Sequence, residues 1–281
     1  MEILKTTEKY LREKSIPNAR LDSELLLCKV LDCERIELYT GFDRPLTQRE
    51  VDAYRTCVSR RARREPLSYI TGGKEFFSLE FDVDASALIP RPESELLVEE
   101  VIARAGSAER KHGFRILDVG TGSGCIAVAL ARYLPEAEVI AVEKERSTCR
   151  TAAKNAEKHR VAIRFICSDF FEADLSEEGL FDVVVSNPPY VSESEYKKLA
   201  PEIVKYEPRT ALVAGASGTE LIVGLLRKST DLLKPEGVVF IEIGDGQQQE
   251  TGDAAEEFFE SVRFARDLSG KDRVLVAEGK K

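Results

Sequence analysis

Asn187-Pro188-Pro189-Tyr190 follows the apolar run at residues 181–186 without a break. After a buried strand, two prolines ordinarily do no more than end it. The Asn in front of them adds chemistry. The Asn187 side-chain oxygen and the Pro188 carbonyl can each accept one N–H of a planar –NH2 group. Pro188 and Pro189 hold φ at about −65° and restrict the residues before them, so the carbonyl directions are set in advance. Tyr190 offers an aromatic face to a planar group. A nitrogen conjugated to a π-system is a poor nucleophile because its lone pair is delocalised. A site of this kind works by holding such a nitrogen in line with an already activated electrophile. No general base stands out, so the released proton is expected to pass to solvent.

A second constellation can supply the other reactant. Asp118-Val119-Gly120-Thr121-Gly122-Ser123-Gly124 lies between a strand pattern (FRILDVG) and a helix pattern (CIAVALARYL). A turn there points backbone N–H groups and small side chains at a ligand beyond the strand ends. A dinucleotide fingerprint would need Gly at 120, 122 and 125, and position 125 is Cys. No G-x-x-x-x-G-K-[ST] is present either. Asp118-x-Gly-x-Gly-x-Gly instead resembles the S-adenosyl-L-methionine-binding pattern of class I methyltransferases. That resemblance makes Gly120, Thr121, Gly122, Ser123 and Gly124 the expected cofactor turn. Glu143 ends the next strand and can accept from both ribose hydroxyls; the plain alternative is an exposed Glu beside Lys144. Asp169 can accept from an adenine amino group while Phe170 covers the base, the alternative for Phe170 being core packing. Asn187-Pro188-Pro189-Tyr190 resembles the site of methyltransferases that act on planar nitrogens. Asn187, Pro188 and Tyr190 are then expected to be catalytic, with Pro189 completing the substrate site and Asn187 also touching the cofactor.

Composition narrows the classes. The chain has 281 residues, with 43% hydrophobic and 32% charged, which is globular and argues against disorder or repeats. No apolar run is long enough for a membrane span, and residues 1–15 lack a signal-peptide core. The net charge is −9, unevenly spread. Residues 1–75 carry 15 Lys/Arg against 13 Asp/Glu, whereas residues 76–281 carry 26 against 37. An acidic larger part argues against a nucleic-acid cleft there. A cytoplasmic monomer is expected. The six cysteines form no C-x-x-C pair, so no metal site is expected and most read as buried free thiols. His112 and His159 sit in charged, turn-like surroundings and read as surface residues, so histidine-dependent catalysis is not expected.

These residues need a frame. Residues 1–65 read as helices, with Thr47 and Glu50 as a capping box for the third long one. That helix ends in Arg60, Arg61, Arg63 and Arg64, either a cationic C-terminus favoured by the helix dipole or a patch for an acidic or RNA-bearing partner. Residues 66–92 read as a linker with a short hairpin around Phe76–Phe81. Residues 93–281 alternate strand and helix and end in two strands joined at Ser269-Gly270. The fold class is therefore α/β: a small all-helical N-terminal domain, then a Rossmann-like domain with a mostly parallel seven-stranded sheet and an antiparallel edge hairpin.

The assembled motifs carry a wider resemblance. Besides residues 118–124 and 187–190 they include residues 66–72 (PLSYITG), 75–77 (EFF), 89–93 (IPRPE), 206–208 (YEP), 241–244 (IEIG) and 267–273 (DLSGKDR). In this order they resemble the release-factor glutamine methyltransferase family, with Glu143 and Phe170 standing where Asp and Trp are commoner. The resemblance implies N5-methylation of the glutamine in the Gly-Gly-Gln motif of peptide chain release factors. It implies that the helical domain recognises the substrate; the charge balance leads to the expectation of no direct contact with nucleic acid. Three rivals share features: a glutamine methyltransferase acting on a ribosomal protein, a DNA adenine-N6 methyltransferase, and a non-catalytic translation-factor adaptor. Arg91 and Glu95 fit a role at the site's rim and a structural role equally well.

Overall fold

The computed structural model describes residues 2–41, 44–107 and 113–281. The chain forms two compact units: Met1–Gly73 with Ala200–Tyr206, and Lys74–Leu199 with Glu207–Lys281. The division falls at Gly73 rather than after residue 65, and residues 66–92 do not form a separate linker.

The first unit holds α1 (Glu2–Glu13), α2 (Ala19–Leu31), α3 (Glu37–Thr40), α4 (Gln48–Ala62) and α5 (Leu67–Thr71). Leu4, Thr7 and Leu11 recur at helical spacing and form the buried stripe of α1. α4 opens with the expected capping box: Thr47 Oγ1 accepts the Glu50 N–H, and Glu50 accepts the Thr47 N–H at 2.7 Å. Leu11, Leu26, Tyr54 and Ile70 meet in the core, where the Tyr54 hydroxyl donates to the Ser23 carbonyl. The arginine cluster is spent within this unit. Arg60 pairs with Glu65, buried Arg61 with buried Asp22 at 2.6 Å, and Arg64 with Glu202 at 3.2 Å. Of the four only Arg63 is exposed and makes no ion pair among the described residues, so the reading as a partner-binding patch gives way to internal ion pairing.

The second unit begins with the expected hairpin, β1 (Gly73–Phe76) and β2 (Leu79–Asp82), followed by α6 (Glu95–Ser107). Strand–helix alternation follows: β3 (Arg115–Val119), α7 (Cys125–Tyr133), β4 (Glu138–Glu143), α8 (Arg146–His159), β5 (Arg164–Cys167) and β6 (Phe181–Ser186). Beyond the short β7 (Val191–Ser192) come α9 (Glu193–Tyr196) and β8 (Val213–Gly215), while α10 (Pro201–Tyr206), between them in the chain, belongs to the first unit. The unit closes with α11 (Glu220–Leu232), β9 (Leu233–Glu242), α12 (Gln248–Glu256), β10 (Phe259–Arg266) and β11 (Asp272–Lys280). Seven strands form one sheet in the order β10-β11-β9-β6-β3-β4-β5. β9, β6, β3, β4 and β5 are parallel, while β11 runs antiparallel to both β9 and β10. Near-continuous apolar runs such as Val183–Val185 and Val238–Ile241 are buried on both faces, as a helix-covered parallel sheet requires. Pro235-Glu236-Gly237, which reads as a turn, is taken into β9, where the pairing with β6 shifts register.

Two sequence expectations change. Cys149 of α8 and Cys167 of β5 form a disulfide, so these two are not free thiols. Cys28, Cys33, Cys57 and Cys125 are free. His159 is half-buried against Phe81, its ring Nε2 at 2.9 Å from the Glu80 carbonyl, rather than a surface residue. His112 lies outside the described residues.

Candidate active site

β3 is the central strand from which the chain proceeds to β4 and β5 on one side and to β6 and β9 on the other. Ligands of open parallel sheets bind beyond the strand ends at such a reversal. A cavity of about 450 Å³ lies there, a size suited to a cofactor-sized molecule. Its wall includes Gly120, Thr121, Gly122 and Ser123 after β3, Glu143 at the end of β4, and Asp169 and Phe170 after β5. Asn187, Pro188 and Pro189 after β6 complete it.

The glycine turn is held from both sides. The Gly120 and Thr121 N–H groups donate to the Val142 carbonyl, and Thr121 Oγ1 donates to Asp118 Oδ2 at 2.6 Å. Glu143 Oε2 accepts the Gly122 N–H at 3.0 Å, and Oε1 accepts the Glu145 N–H. Gly120 and Gly122 have φ of +70° and +58°, the left-handed region where side chains are strained. A Cβ on Gly120 would meet nothing within 4 Å, whereas one on Gly124 would lie 3.1 Å from Ala152 of α8. Gly124 is thus a packing glycine and is not part of the cavity wall. Asn155 of α8, fully buried, donates to the carbonyls of Ser123 and Asp82 and accepts the Asp82 N–H. It ties the turn to the hairpin.

Asp118 is fully buried, and burial pushes its carboxyl up to about 7 against the opposing hydrogen bond from Thr121. Its Oδ1, like the Ser123 Oγ, is buried without a hydrogen-bond partner among the described residues. Asp169 is held below the usual carboxylate range, first by its hydrogen bond with Lys144, at 2.9 Å. Phe170 is buried among Leu225 and Leu226 and also lines the cavity. Lys228 lies 4.9 Å from the Phe170 ring centre and donates to the carbonyls of Phe170, Phe171 and Ala173.

The Asn187 amide nitrogen donates to Ser94 Oγ at 2.8 Å, and Ser94 Oγ donates to Glu242 Oε2 at 2.5 Å. This leaves Asn187 Oδ1 as the acceptor without a partner among the described residues. Tyr190 does not reach the cavity wall. Its hydroxyl donates to Glu242 Oε1 at 3.1 Å, and Gln247 Nε2 donates to its carbonyl. Burial pushes the Tyr190 hydroxyl well above its ordinary range, with Glu242 adding to the effect. Arg91 lines the cavity and is paired with buried Glu207 at 2.6 Å, while Glu95 accepts the Phe77 N–H.

Residues 2–72 match the family model for the PrmC N-terminal domain, and residues 92–223 that for the methyltransferase small domain. The chain is 41% identical over 275 residues to the release factor glutamine methyltransferase of Geobacter sulfurreducens, covering 98% of this chain and 94% of that one. It belongs to the release factor glutamine methyltransferase family. The enzyme of the same name from Chlorobaculum tepidum is 39% identical, with 98% and 95% covered. Among solved structures, a methyltransferase from Pyrococcus furiosus superposes with a TM-score of 0.54 at 22% identity, over 79% of this chain and 99% of that chain. That likeness carries the fold alone.

Ser94, Glu242, Gln247 and Asn155 are the site-building residues of this family member that sequence reasoning passed over. Ser94 and Glu242 do stand next to or within motifs of the resemblance, residues 89–93 and 241–244. Nothing local joins them, since they are 148 positions apart. Among the described residues no group of three or more His, Cys, Asp or Glu side chains can hold a metal ion.

Proposed function

We propose that this chain transfers a methyl group from S-adenosyl-L-methionine to the side-chain amide nitrogen of the glutamine in the Gly-Gly-Gln motif of peptide chain release factors. The observation that carries the reading is the single cavity wall shared by the glycine turn and by Asn187, whose amide oxygen is its unused acceptor. Family membership over nearly the whole length supports the same substrate.

The residues present fit the cofactor. Gly120 opens its Cα face to space that a side chain would fill, so backbone can approach a ligand closely. The carboxylate oxygens of Glu143 each accept one backbone N–H and keep a lone pair for a ribose hydroxyl. Thr121, Gly122, Ser123 and Gly124 shape the turn, Asp169 would accept from the adenine amino group, and Phe170 would cover the base. When bound, the cofactor supplies an activated sulfonium methyl. Asn187 Oδ1 and the Pro188 carbonyl accept the two N–H groups of the glutamine amide, so that the nitrogen lone pair is directed at the methyl. Pro189 fixes the backbone behind them. Tyr190 braces this segment from behind through Glu242. The amide proton leaves to solvent after transfer.

The helical unit is the substrate-recognition part, and the enzyme acts as a cytoplasmic monomer without direct contact to nucleic acid. Among the described residues, no helix is long and apolar enough to cross a membrane. The decisive experiment offers methyl-labelled cofactor together with a release factor, its Gly-Gly-Ala variant, ribosomal proteins and duplex DNA. Label confined to the glutamine of the release factor is expected. Label on ribosomal protein or DNA alone overturns the reading.

A further inference from the structure

We propose that Ser94 and Glu242 are positioning residues that set which way round the Asn187 amide faces, and with it the rate of methyl transfer. The inference rests on the glutamine-methylation reading and goes beyond it to residues outside the Asn-Pro-Pro-Tyr segment.

The argument follows the protons. A serine hydroxyl carries one proton. Ser94 donates it to Glu242 Oε2 at 2.5 Å, so only lone pairs are left to face Asn187. Those lone pairs accept the NH2 side of the amide; a flipped amide would set oxygen against oxygen. Oδ1 is therefore held to the cavity side, where an acceptor is needed for a substrate N–H. Tyr190 donates to the other carboxylate oxygen at 3.1 Å, so one buried carboxylate fixes both ends of the tetrapeptide.

Glu242 is costly where it stands. It is 1% exposed at the end of β9, and no described Lys, Arg or His forms an ion pair with it. A buried carboxylate without a close cation is destabilising relative to an apolar residue of similar size. Its two hydrogen bonds both run to groups that orient the Asn187 segment. Several groups act on it: Ser94 and Glu93 from the turn before α6, Tyr190 after β6, Arg273 of β11 and Cys125 of α7. Burial raises its pKa, while the Ser94 and Tyr190 hydroxyls and Arg273 oppose the rise. A proton placed on Oε2 would turn Ser94 into an acceptor there. The Ser94 proton would then point at Asn187 and favour the flipped amide.

The test measures kcat and KM on an intact release factor at saturating labelled cofactor, with cofactor affinity by calorimetry and thermal unfolding alongside. Four proteins are compared: wild type, Ser94→Ala, Ser94→Thr and Glu242→Gln. Misplacing a reacting group costs up to about 10²-fold, and Ser94→Ala and Glu242→Gln are expected to lose kcat on that order with KM and cofactor affinity unchanged. Ser94→Thr, which keeps the hydroxyl, is expected to restore most of it. Wild-type kcat is expected to fall at acid pH with an apparent pKa above that of an ordinary glutamate, and Glu242→Gln to lack that fall. Wild-type kcat in Ser94→Ala overturns the proposal. So does a parallel loss of kcat, cofactor affinity and thermal stability that Thr does not restore. Should Ser94→Ala fail to fold, the pH profile of Glu242→Gln decides alone, and an acid limb identical to wild type overturns the proposal. A wild-type enzyme that transfers no methyl to the release factor defeats the functional reading instead, a result none of the variants can mimic.

Discussion

At the residue scale, Asn187 and the glycine turn were legible because their chemistry is local. The two candidate acceptors fall within four consecutive residues, and the turn within seven. Removing one preorganised polar contact costs about 3 kcal/mol in the transition state. Asn187→Ala is therefore expected to lose roughly 10²-fold in kcat while binding cofactor normally by calorimetry. The glycines separate by what surrounds them. Gly124→Ala forces a Cβ to 3.1 Å from the Ala152 backbone, and overpacking of this kind costs about 1–3 kcal/mol, read as a lower urea midpoint. Gly120→Ala meets open space and carries only the strain of its left-handed φ, so its larger effect is expected on cofactor affinity. Asp118 links the turn to pH. Its folded pKa, about 7, lies above the ordinary carboxylate value of 3.8. Between those values the unfolded chain has given up a proton that the folded chain keeps, so this group's contribution to stability falls as pH rises from 4 to 7. Relative to wild type, Asp118→Asn is expected to gain stability across that window in urea titrations. An equal difference between the two proteins at both ends of the window refutes it.

At the element scale, regular strands and helices with strong apolar periods were readable, and the weakly patterned ones were not. α12 buries little beyond Thr251, Gly252 and Ala255, so its polar sequence carries no 3.6-residue stripe to read. Pro235–Gly237 carries every mark of a turn, yet the strand absorbs it with a change of register. Ser94 and Glu242 escaped for a different reason: only the sheet order brings the end of β9 near the turn before α6. The Cys149–Cys167 bond was equally invisible, because sequence spacing says nothing of α8 folding back beside β5. It closes an 18-residue separation just ahead of Asp169 and Phe170. A loop of about that length is worth about 3 kcal/mol through the unfolded chain. Dithiothreitol is therefore expected to lower the urea midpoint of wild type and to leave a Cys149→Ser, Cys167→Ser protein unmoved.

At the scale of the whole molecule, the sequence pointed to a small helical part and a larger acidic α/β part. What it hid is that α10 belongs with the first unit although its flanks belong with the second. Glu202 on α10 lies 3.2 Å from Arg64 and 3.6 Å from buried Arg61. Hydrogen bonds to charged groups are worth about 2 kcal/mol, and Glu202→Gln is expected to lose stability of that order by urea unfolding. Cofactor affinity should not change, because every residue of the cavity wall comes from the second unit. The course of the chain also limits how such a protein can be rebuilt. It passes from one unit to the other three times, after Gly73, after Leu199 and after Tyr206. A graft of the first 73 residues onto another catalytic part carries Arg61 and Arg64 without Glu202. Exchange of the helical unit between two such proteins therefore requires two separate stretches of gene to be moved together.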